Sequence, residues 1–181
     1  IMDLTGEAEG EAQKIGTPAA DLLAGQDAAF AALAALVGRN RTGAGQEIDI
    51  SMVESMTRFL TPRLIPFLGS GELPRRSGGK DSVIAIYQTF DTADRPIAVA
   101  VGNDKQFRAF SAAIGLPELA DDPRFATNPQ RVANRDALCA LIEPALKRSG
   151  ADHWFTTLTE VGVPAGPIND LAEAFDFARR P

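Results

Sequence analysis

The stretch that decides the fold is residues 16–52, GTPAADLLAGQDAAFAALAALVGRNRTGAGQEIDISM. Thr17 is a good N-cap and Pro18 suits the first helical position, so we predict that a helix begins here. Leucines and Phe30 recur at helical spacings, with small residues between them, as far as Arg39. Such a helix can pack closely on several sides, and we expect it to be buried inside a larger assembly.

The end of the same stretch alternates apolar and polar residues. Over residues 46–53, isoleucines and a methionine alternate with acidic residues and a serine, which predicts a half-buried strand. Helical character resumes over residues 53–68 and is interrupted by Pro62 and Pro66. Because a lone strand cannot be a sheet, we expect the first third of the chain to be completed by structure outside these 181 residues.

The rest of the chain predicts a second mixed unit. Strands at 83–90 and 97–101 are expected to form a hairpin. Asn103 is expected to cap a helix, and Asn169 to cap the last one. Between these caps we predict helices over about 130–148 and 151–161, followed by an extended segment at 162–168. Strands interspersed with helices place the chain in the α/β or α+β class.

Composition excludes several classes of protein. The net charge of −6 argues against a nucleic-acid partner, since phosphates demand a basic surface. The longest alanine-rich run, 28–37, ends at Gly38 and is too short to span a membrane. Cys139 is the one cysteine and lies in an apolar helical pattern, so we expect a buried core thiol in a reducing, cytoplasmic compartment.

Two residues could carry chemistry by type. His153 has no cysteine or second histidine to form a metal site, so we predict a surface residue and no metal. Asp21 stands in the first turn of the alanine-rich helix, where the helix dipole favours an ionised carboxylate. That environment suits a nucleophilic aspartate. An acidic residue that only complements the helix N-terminus fits the same position, and the residues alone leave both readings open.

The segment 69–82 carries the paired glycines Gly78 and Gly79 in a basic surrounding. Paired glycines let backbone N–H groups approach a phosphate or carboxylate ligand closely. A solvated linker between two domains explains the same composition.

A series of short runs occurs in an order that is specific to one family. The runs are IMDLTG (1–6), GTPAAD (16–21), RTGAGQ (41–46), IDISM (48–52), YQTFDTAD (87–94), VAVGND (99–104), DDPRFATN (121–128), RVANR (131–135) and GVPAGPIN (162–169). On this series, which covers essentially the whole chain, the sequence resembles the family III CoA-transferases. These form the carnitine dehydratase and bile-acid-inducible protein F superfamily, and its members include formyl-CoA transferase and α-methylacyl-CoA racemase.

The resemblance implies a fold and a division of the chain. It implies an α/β protein with a Rossmann-like large domain and a small α/β domain, in interlocked homodimers. Residues 1–68 would end the first part of the large domain and carry the catalytic aspartate helix, and 69–82 would be the linker and glycine loop. Residues 83–160 would form the small domain, and 161–181 would return towards the large domain. The first half of the large domain and its C-terminal end would lie outside this chain.

The resemblance also implies a reaction. Asp21 matches the family's catalytic aspartate, which attacks an acyl-CoA thioester and passes CoA to an acceptor carboxylic acid through an aspartyl-CoA thioester. CoA is then a substrate, and no tightly bound cofactor is implied. Gly78 and Gly79 lie where the transferases carry a glycine loop, here a short one.

Two alternatives remain. In the racemases the equivalent aspartate forms an acid/base pair with a histidine, which would lie upstream of Ile1. We favour the transferase because that group is larger. The third reading, from another class, is that these 181 residues alone are an inactive binding or dimerisation module.

Overall fold

The computed structural model describes residues 1–179, which form two compact units. The first is Ile1–Gly78 and the second begins at Gly79. The boundary therefore falls inside segment 69–82, between the paired glycines.

The first unit is helical. A short 3-10 turn at Met2–Leu4 precedes its helices, which are α1 (Ala19–Thr42), α2 (Met52–Phe59) and α3 (Thr61–Ser70). The break between α2 and α3 lies next to Pro62, as predicted, whereas Pro66 is accommodated inside α3.

Helix α1 starts and ends later than predicted. Its N-cap is Pro18 and no side chain caps it, so the prediction of Thr17 as the cap was wrong. The helix runs past Arg39 to Thr42 and stops at Gly43, which has φ +74°. The N–H of Gly43 donates to the Arg39 carbonyl oxygen over 2.8 Å. Glycine closes the helix because it adopts this left-handed conformation without the Cβ penalty.

Within this chain α1 is exposed, and its predicted burial inside a larger assembly stays a prediction. Among the residues that the structure describes, none of its 24 side chains is buried, and Phe30 is 76% exposed. The helix is long and apolar enough to cross a membrane by length and composition. The sequence analysis did not predict this, because it considered only the alanine-rich run 28–37. Core helices of soluble proteins meet the same test, and α2 packs against this one.

The predicted strand at 46–53 does not form. Residues 44–51 are irregular, and α2 already begins at Met52. The side chain of Ser51 accepts a hydrogen bond from the backbone N–H of Glu54 over 3.3 Å and caps the helix. A strand needs a neighbour for its backbone hydrogen bonds, and within the described part of the first unit this segment has none. The helix cap at Ser51 therefore decides the local structure, and the alternation of apolar and polar residues does not.

The second unit contains the predicted hairpin. Strands β1 (Ile86–Phe90) and β2 (Ile97–Val101) pair antiparallel. A third strand, β3 (Ala165–Pro167), joins β2 antiparallel and gives the order β1-β2-β3. The stretch 161–181, which we expected to return towards the large domain, thus first adds a strand to this sheet, and residues 180 and 181 lie outside the described residues.

The described part of the second unit also contains five helices. They are α4 (Asp104–Ala113), α5 (Asn128–Ala133), α6 (Arg135–Leu146), α7 (Ala151–Glu160) and α8 (Leu171–Ala178). Two 3-10 turns, at Pro117–Ala120 and Pro123–Phe125, lie between α4 and α5.

The caps of the second unit's helices agree with the predicted positions at one end and differ at others. Asn103 caps α4 as predicted, accepting from the N–H of Gln106 over 2.9 Å. The single helix predicted at 130–148 is instead two helices that break at Asn134. The last helix is capped by Asp170 and not by Asn169, because Asp170 and Glu173 form a reciprocal capping box.

The core of the second unit lies under one face of the sheet. Alternate residues of both strands point into it, and the helices contribute aromatic side chains such as Phe110 and Trp154. Cys139 belongs to this core, as predicted, and burial raises the pKa of its thiol. Gln88 Nε2 donates to Cys139 Sγ over 3.4 Å. His153 is exposed, also as predicted, and packs edge-on against Trp154.

Two leucines of α6 give a matched test of this core. Leu138 is fully buried, whereas Leu141 is 43% exposed. We expect Leu138→Ala to lower the free energy of unfolding by about 2–5 kcal/mol, because it leaves a cavity. Leu141→Ala should cost less than about 1 kcal/mol. Urea unfolding of both variants measures the difference, and equal losses would contradict the described packing.

Candidate active site

Asp21 lies in the first turn of α1 and is exposed. It lines a groove of about 380 Å³ together with the segment that leads into the helix (14–20), the chain start (Ile1 and Met2) and Met56 of α2. Among the described residues, no side chain donates a hydrogen bond to its carboxylate. The first-turn N–H groups of a helix have no intrahelical acceptors, so this end of the groove combines a carboxylate with positive helix dipole.

The N-terminal segment that walls the groove has its own hydrogen bonds. The carbonyl oxygen of Ile1 accepts from the N–H of Leu4 over 2.8 Å and from Thr5 Oγ1 over 3.1 Å. The N–H of Gln13 donates to the Thr5 carbonyl oxygen over 2.9 Å. These bonds fold residues 1–13 back on themselves beside the helix start.

Asp27 is a second aspartate on α1 that the sequence reasoning did not single out. Its carboxylate accepts from Ser55 Oγ over 2.7 Å and from Arg58 Nη2 over 2.6 Å. Both donors belong to α2, so this contact joins the two helices. The hydrogen bonds from Ser55 and Arg58 lower the pKa of Asp27 below its ordinary value. The sequence signal that could have indicated such a contact was an acidic residue within an apolar helix.

The structure separates the two glycines of the predicted ligand loop. Gly78 has φ +63°, and its N–H donates to the Gly6 carbonyl oxygen over 3.0 Å. A Cβ at Gly78 would lie 2.6 Å from Glu7 Oε2. Gly79 begins the second unit, and a Cβ there would meet only Thr89 Oγ1, at an ordinary 3.5 Å. Neither glycine lines the groove beside Asp21.

Arg76 belongs to the basic glycine segment, for which the sequence predicted an anionic ligand and not a contact within the protein. It lies two residues before Gly78 and donates to Asp3, at the other end of the first unit. No local pattern could reveal a contact between residues so far apart in the sequence. Within residues 1–179, no three His, Cys, Asp or Glu side chains are grouped closely enough to hold a metal ion.

The sequence profile that matches this chain is that of CoA-transferase family III, over residues 1–179. The chain belongs to this family. The match includes the helix that carries Asp21 and the whole described part of the second unit.

Two relatives of this chain are named as CoA-transferases. The chain is 40% identical over 175 residues to the acetyl-CoA:oxalate CoA-transferase of Acetobacter aceti, covering 96% of this chain and 45% of the relative. It is 36% identical to the succinate–glutarate CoA-transferase of Agrobacterium fabrum, covering 97% and 44%. The chain therefore spans less than half the length of these relatives.

Solved structures show the same fold. A CaiB/BaiF family protein from Brucella suis matches with a TM-score of 0.75 and 45% identity, over 97% of this chain and 47% of that one. A hypothetical protein from Mycobacterium tuberculosis matches with a TM-score of 0.78 and 28% identity, over 94% and 46%. The mixed α/β architecture with its small antiparallel sheet is thus a family feature.

Gly78 and Gly79 provide a matched pair of substitutions. We expect Gly78→Ala to destabilise the protein by about 1–3 kcal/mol, because the alanine is held at positive φ and meets Glu7. Gly79→Ala should change stability by less than about 0.5 kcal/mol. Thermal unfolding measures both variants. Equal destabilisation would contradict the positive φ and the close approach of Glu7 described for Gly78.

The lowered pKa of Asp27 predicts a pH dependence. A carboxylate whose pKa is lower in the folded state stabilises the protein above its unfolded pKa, and the stabilisation is lost as pH falls through the folded pKa. We expect wild type to be more stable than Asp27→Asn near pH 7, with the difference shrinking below the ordinary value of 3.8. Urea unfolding of both proteins from pH 7 to pH 2.5 or so tests this. A pH-independent difference would show that the charge of Asp27 contributes nothing.

Proposed function

We propose that the full-length protein is an acyl-CoA:carboxylate CoA-transferase in which Asp21 is the covalent nucleophile. The observation that carries this proposal is a carboxylate at the head of α1 that lines a groove and accepts no hydrogen bond from any described side chain. Membership of CoA-transferase family III supplies the reaction class.

The proposed reaction proceeds by exchange at three carbonyl carbons, those of the donor, of Asp21 and of the acceptor. An Asp21 oxygen attacks the acyl-CoA carbonyl, the C–S bond breaks, and a mixed anhydride and CoA thiolate form. The thiolate attacks the Asp21 carbonyl, releases the donor as a carboxylate and leaves an aspartyl-CoA thioester. The acceptor carboxylate attacks this thioester, again expelling thiolate, which then takes the acceptor acyl group from Asp21. The carboxylate of Asp21 is regenerated, and the exchange needs no net proton.

Covalent catalysis replaces one difficult exchange by easier steps at a positioned carboxylate. Each tetrahedral intermediate carries an oxyanion that requires N–H donors. The N–H of Gly78 is not available for this role, because it already donates to the Gly6 carbonyl oxygen. Stabilising such an oxyanion is worth about 2.7–4 kcal/mol per donor in enzymes where it has been measured.

The substrates follow from the same reaction. The donor is an acyl-CoA thioester and the acceptor a carboxylic acid. The two transferases compared above are named for oxalate and for succinate and glutarate, so we propose a short dicarboxylate as the acceptor. We further propose a homodimer with a Rossmann-like large domain, acting in the cytoplasm.

Transfer is favoured over racemase-type acid/base chemistry because the two relatives compared above are named as transferases. The two reactions also differ in outcome. A racemase exchanges the α-proton of a 2-methylacyl-CoA and forms no bond to its aspartate, whereas the transferase carries CoA on Asp21.

Trapping the intermediate tests the proposal directly. Full-length protein is incubated with acetyl-CoA or succinyl-CoA, quenched with hydroxylamine and analysed by peptide mass spectrometry. We expect a hydroxamate at Asp21, because an activated acyl aspartate reacts with hydroxylamine and a free carboxylate does not. Asp21→Asn should lower CoA exchange into oxalate or glutarate by at least about 10⁴-fold while retaining the fold.

Asp49→Asn is the matched control, since Asp49 is an exposed aspartate in the segment before α2 and takes no part in the groove. It should retain exchange and leave the hydroxamate on Asp21. An unmodified Asp21 with CoA binding intact, or full exchange by Asp21→Asn, would overturn the proposal.

A further inference from the structure

We propose that Arg76 is a positioning residue that holds the wall of the Asp21 groove in place. The inference rests on the proposed function, since it assigns to Arg76 the placement of a segment beside the nucleophile. Arg76 itself does not line the groove.

The contact is made by one nitrogen of the guanidinium group. Arg76 Nη1 donates to the Asp3 carbonyl oxygen over 2.9 Å and to Asp3 Oδ1 over 3.0 Å. Arg76 Nε is buried without an acceptor among the described residues, so Nη1 carries the contact.

The backbone bond is the more important of the two. The Arg76 side chain is 22% exposed, whereas that of Asp3 is 85% exposed. An ion pair with such an exposed carboxylate contributes little, because water and salt screen it. A hydrogen bond from a charged donor to a main-chain oxygen fixes the backbone itself.

Two glycines bring the backbone close enough for this contact. Gly6 has φ +122°, and a Cβ there would meet Arg76 Cδ at 3.4 Å and the Glu11 carbonyl oxygen at 2.7 Å. Two residues beyond Arg76, the N–H of Gly78 donates to Gly6 over 3.0 Å. Arg76 and Gly78 therefore bind the N-terminal segment at two points, Asp3 and Gly6.

The N-terminal segment that Arg76 binds forms one wall of the groove. Asp3 lies in the 3-10 turn whose hydrogen bonds return to the carbonyl oxygens of Ile1 and Met2, from Leu4 over 2.8 Å and from Thr5 over 3.1 Å. Ile1 and Met2 line the groove together with Asp21. A shift at Asp3 therefore moves residues that face the nucleophile, and Arg76 can change the reaction without touching the substrate.

The test separates placement from binding in the full-length protein. For Arg76→Gln we expect acylation of Asp21 by succinyl-CoA, followed as hydroxamate in single-turnover quench experiments, to slow about tenfold or more. The dissociation constant for succinyl-CoA should change by less than about twofold, because Arg76 does not line the groove. Arg76→Lys keeps a donor for the Asp3 carbonyl oxygen without the planar guanidinium, and we expect it to recover part of the rate.

Asp3→Ala and Arg108→Gln are the controls. Asp3→Ala removes only the exposed ion pair and keeps the backbone acceptor, so its rate should stay within about twofold of wild type. Arg108→Gln removes another exposed arginine–aspartate pair, to Asp121 at 3.2 Å in the second unit, and should change nothing.

These variants distinguish a failure of the positioning role of Arg76 from a failure of the proposed function. If Asp21→Asn abolishes exchange but Arg76→Gln acylates at the wild-type rate, the positioning role is wrong and the nucleophile stands. Equal losses of binding and acylation in Arg76→Gln would also overturn the inference, as would loss of the fold in both Arg76 variants. If Asp21→Asn retains exchange, the proposed function itself fails, and with it the role of Arg76.

Discussion

The constraint on which the site depends is that α1 buries none of its own apolar side chains within the described chain. Among residues 1–78, Ser55 is the only buried residue, so the first unit has no hydrophobic core of its own. Hydrophobic burial is the dominant favourable contribution to most folds. Within this chain, polar contacts join the parts of the first unit: Asp27 binds α2 from α1, and Arg76 binds the N-terminal segment.

The second unit is built in the opposite way. Its sheet buries alternate residues of β1 and β2 against the helices, and the core is continuous from Ile86 to Val163. Such a core follows from local patterns, because strands have a period of two residues and helices one of 3.6. The sequence therefore predicted the hairpin, the cap at Asn103 and the buried Cys139. It failed where one cap outcompeted another, as at Asp170, and where a break at Asn134 divides one predicted helix into two.

Long-range contacts explain what sequence reasoning missed in the first unit. Residues 46–53 alternate like a strand, but alternation predicts a strand only where a neighbour supplies hydrogen bonds. Asp27 meets Ser55 across 28 residues, and Arg76 meets Asp3 across 73. No periodicity or spacing rule reports such pairs. The family resemblance located Asp21, whereas the residues that place its surroundings emerge only from the structure.

The two aspartates of α1 show why hydrogen bonding, and not position alone, distinguishes a candidate nucleophile. Asp27 is held by Ser55 and Arg58, and these donors lower its pKa. Hydrogen bonds to the ionised form stabilise the lone pairs that would have to attack a carbonyl carbon. Such a carboxylate serves as an anchor. Asp21 accepts no hydrogen bond from any described side chain and faces a groove, so its oxygens are available to form a covalent bond. In the proposed mechanism, α1 therefore carries one carboxylate for structure and one for chemistry, because the neighbouring donors are distributed unequally.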